Sequence, residues 1–208
     1  SGLSNSWRLM DDNSRNLIEL VQDGDNQVIK ITSDGSNRGA YPILNESADK
    51  LTNRFGDHVI TYDFKFPEEL GDGGEGIYFN VYRKDDGQKL AVAICPWMPS
   101  RTIGLEVPGV IGNPAAVTKS FNKTDTWYTL KEMISDNRLY IKVWEKESAE
   151  PDNWDVAYDL PFNSSDDCAC EIEFYANNKA VLIDNINIQL WAAVADKTAL
   201  QSLYDTYE

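Results

Sequence analysis

Histidine is nearly missing from this chain. His58 is the one imidazole in 208 residues, so no Ser-His-Asp arrangement can be argued and no histidine-based zinc site is at hand. Cysteine is scarce as well. Cys95, Cys168 and Cys170 are too few for a disulfide framework. Cys168 and Cys170, two apart in a strand, would face the same side and bridge only with strain. A link from Cys95 to one of them, or three free thiols, both remain open. A zinc ion would need a fourth ligand, and His58 stands alone at the start of an alternating run, where a surface position is the default. Long apolar runs are lacking too. The longest, "LAVAICPWM" at 90–98, falls far short of the roughly 20 residues of a spanning helix. Basic charge is in deficit, with 19 Lys and Arg against 34 Asp and Glu. The net charge of −15 argues against nucleic acid and anionic membrane surfaces, which would repel the chain. "GDGGEG" at 71–76 lacks the lysine and helix of a phosphate-cradling loop and reads as a hairpin tip. No signal peptide is visible, but Ser1-Gly2 resembles the remnant of a cleaved tag, so the natural N-terminus is expected to be missing.

What is present is alternation. "QVIKITS" (27–33), "HVITYDFKF" (58–66), "GIYFNVYR" (76–83), "KLAVAIC" (89–95), "TIGLEV" (102–107), "WYTLKEMI" (127–134), "RLYIKVWEK" (138–146), "CEIEFYA" (170–176) and "AVLIDNINIQL" (180–190) read as strands of period two. Turn clusters rich in Asp, Asn, Gly and Ser separate them, and "DDGQ" and "SDNR" suit short hairpins. Many short strands without interleaved helical patterns predict an all-β antiparallel sandwich or barrel over 1–190. Residues 7–190 contain no internal repeat or low-complexity linker. The tail, 191–208, differs. Leu200, Leu203, Tyr204 and Tyr207 share a helical face after a candidate N-cap, Asp196, which predicts a short C-terminal helix or the start of a following helical module.

Residues 126–190 carry a more specific likeness. Trp127, Tyr128, Leu130 and Lys131, then Lys142 to Trp144, then Pro151 with Trp154, and finally Asp184-Asn185 between aliphatic residues follow a pattern. It resembles the C-terminal half of concanavalin A-like (laminin G-like) jelly rolls of bacterial carbohydrate-active proteins. About a third of the chain carries this resemblance, and the remainder agrees in strand rhythm. The tail resembles the opening of the FIVAR modules of Gram-positive cell-wall proteins. The resemblance implies an antiparallel jelly roll, an extracellular or wall-attached parent protein, and a structural calcium ion near the last strand. Asp184 would be its leading ligand, with Glu19 from an early strand as a partner. An Asp held by backbone donors is the competing reading of position 184.

The polar alternates point to a ligand. If the aliphatic positions face between sheets, the opposite positions are Tyr78, Asn80 and Tyr82, then Ala91 and Ala93 with Lys89 at the end, then Arg138, Tyr140, Lys142 and Trp144, then Glu171, Glu173 and Tyr175. Rings that stack on sugar C–H faces, with amides and charges that bond hydroxyls, make a candidate glycan floor on a concave sheet. The alanines would leave room. Trp97, in the loop "CPWMPSR", would close one edge with Arg101. Arg38, read as a loop residue near Tyr41, is a weaker candidate. The bland alternative is ordinary packing, with a loop or the tail covering this face.

Catalysis is the less favoured reading. Jelly-roll glucanases carry an E-x-D-x-x-E strand motif, and "EIEFYA" keeps Glu171 and Glu173 but places Glu at the central Asp and Ala176 at the last carboxylate. The expectation is therefore a non-catalytic, lectin-like carbohydrate-binding module that takes an oligosaccharide or polysaccharide. Nucleic-acid binding and membrane insertion are not expected, and neighbouring modules of the same parent chain are. A glycoside hydrolase or polysaccharide lyase domain is one alternative, and a structural sandwich without a ligand is another.

Overall fold

The computed structural model describes residues 7–9, 17–32, 38–42, 57–69, 76–83, 89–97, 102–106, 117–118, 123–160, 168–175 and 179–190. Fourteen strands occupy them: β1 (Trp7–Leu9), β2 (Leu17–Asp23), β3 (Asn26–Thr32), β4 (Arg38–Pro42), β5 (His58–Lys65), β6 (Gly76–Arg83) and β7 (Lys89–Trp97), followed by β8 (Thr102–Glu106), β9 (Val117–Thr118), β10 (Tyr128–Ser135), β11 (Arg138–Glu145), β12 (Val156–Asp159), β13 (Cys168–Tyr175) and β14 (Ala180–Leu190). They form two seven-stranded sheets. The β6 sheet runs β1-β4-β13-β6-β7-β8-β9, and the β5 sheet runs β12-β11-β10-β5-β14-β3-β2. Every pairing is antiparallel. The tail segment 191–208, with its expected helix and FIVAR likeness, lies outside the described residues.

Alternation builds the core. In register across the β5 sheet lie Tyr128, Phe64, Ile183 and Ile29. Tyr128, Phe64 and Ile183 are at most 1% exposed. The rings of Phe64 and Tyr128 stack 5.6 Å apart at 24°, and Phe66 meets Phe64 edge-on at 5.6 Å. Leu139, Ile141 and Val143 of β11 are buried on the same face, while Arg138, Tyr140 and Trp144 alternate outward. Each such side chain withdrawn from water contributes about 1.5–3 kcal/mol. From the β6 sheet, Ile77 and Ile103 are buried and mark the face that meets this core.

The turns follow local chemistry. Asp136 (φ 51°) and Asn137 (φ 64°) join β10 to β11 with both central residues left-handed, the type I′ pattern that Asn and Asp tolerate. Gly24 (φ 58°) opens the two-residue turn between β2 and β3, where a Cβ would meet nothing within 4 Å, so the demand for glycine is conformational.

Several expectations change here. His58 is 0% exposed, not at the surface, because it opens β5 on the inward alternation with Ile60, Tyr62 and Phe64. Arg38–Pro42 is a strand beside β13, not a loop, despite its Gly and Pro. Trp97 ends β7 opposite Thr102, beyond a bulge, and not in a following loop. Cys95 and Cys170 pair with Ile77 and Val81 from opposite sides of β6, and Cys168 pairs with Arg83. Two strand spacings, about 10 Å, therefore separate Cys95 from β13, beyond what a disulfide spans. A link from Cys95 to Cys168 or Cys170 is excluded.

Candidate functional site

The register divides the expected glycan floor between two sheets. Ile77 fixes one face of β6 as inward, so Tyr78, Asn80 and Tyr82 occupy positions on the outer face of the β6 sheet. Glu173 pairs with Tyr78, Glu171 with Asn80 and Ala169 with Tyr82. On the other side of β6, Ile94 pairs with Tyr78 and Val92 with Asn80. The rows end on Gly104 and Glu106 of β8. Gly39 of β4 extends the Glu173 row. Aromatic, amide and carboxylate positions thus share one face over adjacent strands. The alanines do not belong to it. Ala93 pairs with Phe79 and Ala91 with Val81, which puts them at inward positions.

Tyr140, Lys142 and Trp144 belong to the other sheet, on the outer face of β11. The segment after β11 lies across Tyr140 and Lys142. Lys142 Nζ donates to the Pro151 carbonyl at 2.8 Å and sits 2.6 Å from Glu150 Oε1. It lies 4.6 Å from the Trp154 ring centre, and Trp154 packs on Tyr140 at 5.4 Å. Glu150 is also held by Lys131 at 2.9 Å, and Asp155 accepts from the Val143 amide at 2.9 Å. The Lys142 side chain is only 7% exposed. The two ammonium groups beside Glu150, Lys142 first and then Lys131, hold its carboxyl below the usual range. The second face of "RLYIKVWEK" therefore meets the chain's own Pro-and-Trp segment, a different cover from the tail or the 108–126 stretch.

Further along the same face is a network that sequence reading missed. Trp144, Thr129, Asp63 and Asp184 follow one another in register across four strands. Asp63, 5% exposed, accepts from Thr129 Oγ1 at 2.6 Å, Asn185 Nδ2 at 2.7 Å and Lys146 Nζ at 2.8 Å. Beside it, Asp23 accepts from Lys65 Nζ at 2.6 Å and Trp127 Nε1 at 3.0 Å. Lys65 and Lys146 each lie 5.4 Å from the Trp127 ring centre. The hydrogen bond from Lys65 lowers the Asp23 pKa, against the opposing effect of burial. The polar alternates Thr61, Asp63 and Lys65 marked this as an outer face, but no local signal names partners on β10, β11 and β14.

The expected calcium ligands do not come together. A bulge between Asp184 and Asn187, with Asn185 at φ 50°, breaks the β14 register with β5. Glu19, on β2 beyond β3, lies 3.9 Å from Lys30. Asp63, opposite Asp184, already has three donors. Among the described residues, no group of three or more His, Cys, Asp or Glu is placed to hold a metal ion. Asp184 and Glu19 do not by themselves fit calcium, which takes six to eight oxygens.

No family model matches the sequence, and no curated protein does. Solved structures do match in shape. The exoplasmic/lumenal domain of VIP36, in a Ca²⁺- and Man3GlcNAc-bound form, aligns with TM-score 0.60 at 13% identity, over 97% of this chain and 89% of that one. A family 7 alginate lyase, A1-II′ with bound product, gives 0.57 at 13% over 83% of each chain. The carbohydrate-binding module CBM66 from Bacillus subtilis gives 0.57 at 12%, over 89% of this chain and 96% of that one. The chain folds as an antiparallel jelly-roll β-sandwich. At these identities the likeness is one of fold, and jelly rolls host both binding and catalysis.

Proposed function

We propose that this jelly roll is a non-catalytic carbohydrate-binding module of a larger secreted or cell-wall-attached bacterial protein, and that it receives an oligosaccharide or polysaccharide on the outer face of the β6 sheet. The observation that carries the reading is the register that aligns Tyr78, Asn80 and Tyr82 of β6 with Glu171 and Glu173 of β13 on one face. The opposite sheet supports it by elimination, because Tyr140 and Lys142 are engaged by the segment 146–155. Two of the fold neighbours are a sugar-bound lumenal domain and a carbohydrate-binding module. Trp97, at the end of β7, is the remaining candidate for one edge of the floor.

The test is calorimetric titration of a glycan panel into the purified chain and two variants. Tyr78→Ala/Tyr82→Ala is expected to lose affinity by about tenfold per ring, or 1.4 kcal/mol each. Trp144→Ala, on the other sheet, is expected to keep affinity within about twofold. Loss in the Trp144 variant alone would move the site to the β5 sheet. Silence across the panel would favour a purely structural sandwich.

A catalytic reading rests on one observation of its own. Glu171 and Glu173 occupy positions two apart on one face of β13, and glycoside hydrolysis uses a pair of carboxyl groups. His58 offers no base on that face, since it is buried in the other sheet. Product release from a bound oligosaccharide, abolished in Glu171→Gln or Glu173→Gln, would establish the enzyme.

A further inference from the structure

Three of the fold neighbours' names pair this sandwich with chemically different sugars, and alginate, the polymer named for the lyases, is a polyanion. Which chemistry this chain admits is a question of charge, and the strand register bears on it. We infer that the glycan received by the β6 sheet is uncharged, and that polyuronates are excluded. The inference rests on the binding face proposed above.

Consider the outer positions around Tyr78 and Asn80. Glu173 and Glu171 flank them on the β13 side, and Glu106 closes the Asn80 row on the β8 side through Val92. These rows hold three carboxylate positions and no basic one. The nearest basic position on β7 is Lys89, opposite Tyr82 at the far end of the pairing. Arg8 sits opposite Tyr41 at the β1 edge. Strands β13 to β8 span three spacings, about 14 Å, which is under two Debye lengths at physiological ionic strength. A uronate polymer lying there would bring one negative charge per ring against two rows whose charged positions are all carboxylates, on a chain of net charge −15. Unpaired like charges across an interface are selected against. A neutral glycan suffers no such repulsion. Its hydroxyls can donate to carboxylates, which are acceptors only when ionised.

The experiment compares neutral hexose oligosaccharides with alginate and polygalacturonate oligosaccharides of matched length, by calorimetry on the full chain at about 0.01 M and 0.15 M ionic strength, where the Debye length is roughly 30 Å and 8 Å. A neutral oligosaccharide is expected to bind with salt-independent affinity, lost in Tyr78→Ala/Tyr82→Ala. Uronates are expected not to bind the native chain. Their affinity should rise at least about tenfold in Glu171→Gln/Glu173→Gln, equivalent to 1.4 kcal/mol, with folding checked by near-ultraviolet circular dichroism. Uronate binding by the native chain that is lost in the tyrosine variant overturns the charge inference and leaves the face standing. Binding of any glycan that survives the tyrosine variant, or no binding at all, overturns the face and the inference with it. The native-chain titrations decide between these outcomes even if a variant fails to fold.

Discussion

Glu132 is a buried carboxyl in the described core, 0% exposed. It faces inward from β10, and neither carboxylate oxygen has a hydrogen-bond partner; His58 Nε2 stands 3.6 Å away. Burial pushes the Glu132 carboxyl above its usual 4.5, and the neighbouring imidazole only partly offsets this. The sign follows from linkage. A carboxyl raised in the folded state contributes stability in full below pH 4.5, and that contribution is lost as pH rises toward the folded value. Glu132→Gln is therefore expected to flatten the fall in unfolding free energy above pH 4.5, as measured by urea titration from pH 4.5 to 8. Parallel curves for the native chain and the variant would refute it. Asp63 is the opposite case, a buried carboxylate with three donors. Asp63→Ala leaves the buried Thr129 hydroxyl and the Asn185 amide without their acceptor. A loss of about 2–4 kcal/mol is expected in the same assay, against under about 1 kcal/mol for Lys146→Met, whose ammonium is partly solvated.

Among elements, the segment 146–155 is attached to the outer face of the β5 sheet through charged and ring contacts. Its anchors are Glu150 between Lys131 and Lys142, the Pro151 carbonyl and the Trp154–Tyr140 contact. The lowered Glu150 pKa means this anchoring is present above pH 4.5 and is lost as pH falls through the folded value. Hydrogen exchange at the Val143 amide, which donates to Asp155, is expected to accelerate on acidification relative to the core amides of β10, and in Glu150→Gln already at neutral pH. Equal exchange in native and variant chains would show that the segment stays in place without the ion pairs. Strand by strand, much of this was legible. The nine alternating runs are all strands, because each alternates with period two. The strands that escaped notice are short or lack alternation, such as "RGAYP", whose Gly and Pro read as a turn. "SDN" announced its reversal through residues that tolerate positive φ.

At the scale of the whole molecule, what the sequence could not convey was partnership. β6 and β11 alternate alike, and nothing local says that they lie in different sheets, so alternation alone groups Tyr78 and Tyr140 on a face they do not share. In β7 the larger Val92 and Ile94 suggest the core face, whereas the register puts Ala93 and Ala91 opposite Phe79 and Val81 at the inward positions. Charge raises the last issue at this scale, since two effects of opposite sign compete. The chain carries 34 acidic against 19 basic side chains, and this excess repels itself in the compact state. Salt screens that repulsion and stabilises. Salt also weakens ion pairs, but the pairs that brace the β5 sheet, Lys65–Asp23, Lys142–Glu150 and Lys146–Asp63, each have at least one largely buried or part-buried member at hydrogen-bonding distance. Close, part-buried pairs are screened far less than dispersed surface charges. The melting temperature is therefore expected to rise by a few degrees between about 0.01 M and 0.15 M NaCl, a gain of roughly 1 kcal/mol for a chain of this size. Differential scanning calorimetry decides the matter. A falling melting temperature would mean that the ion pairs, and not the net charge, dominate the electrostatics of this sandwich.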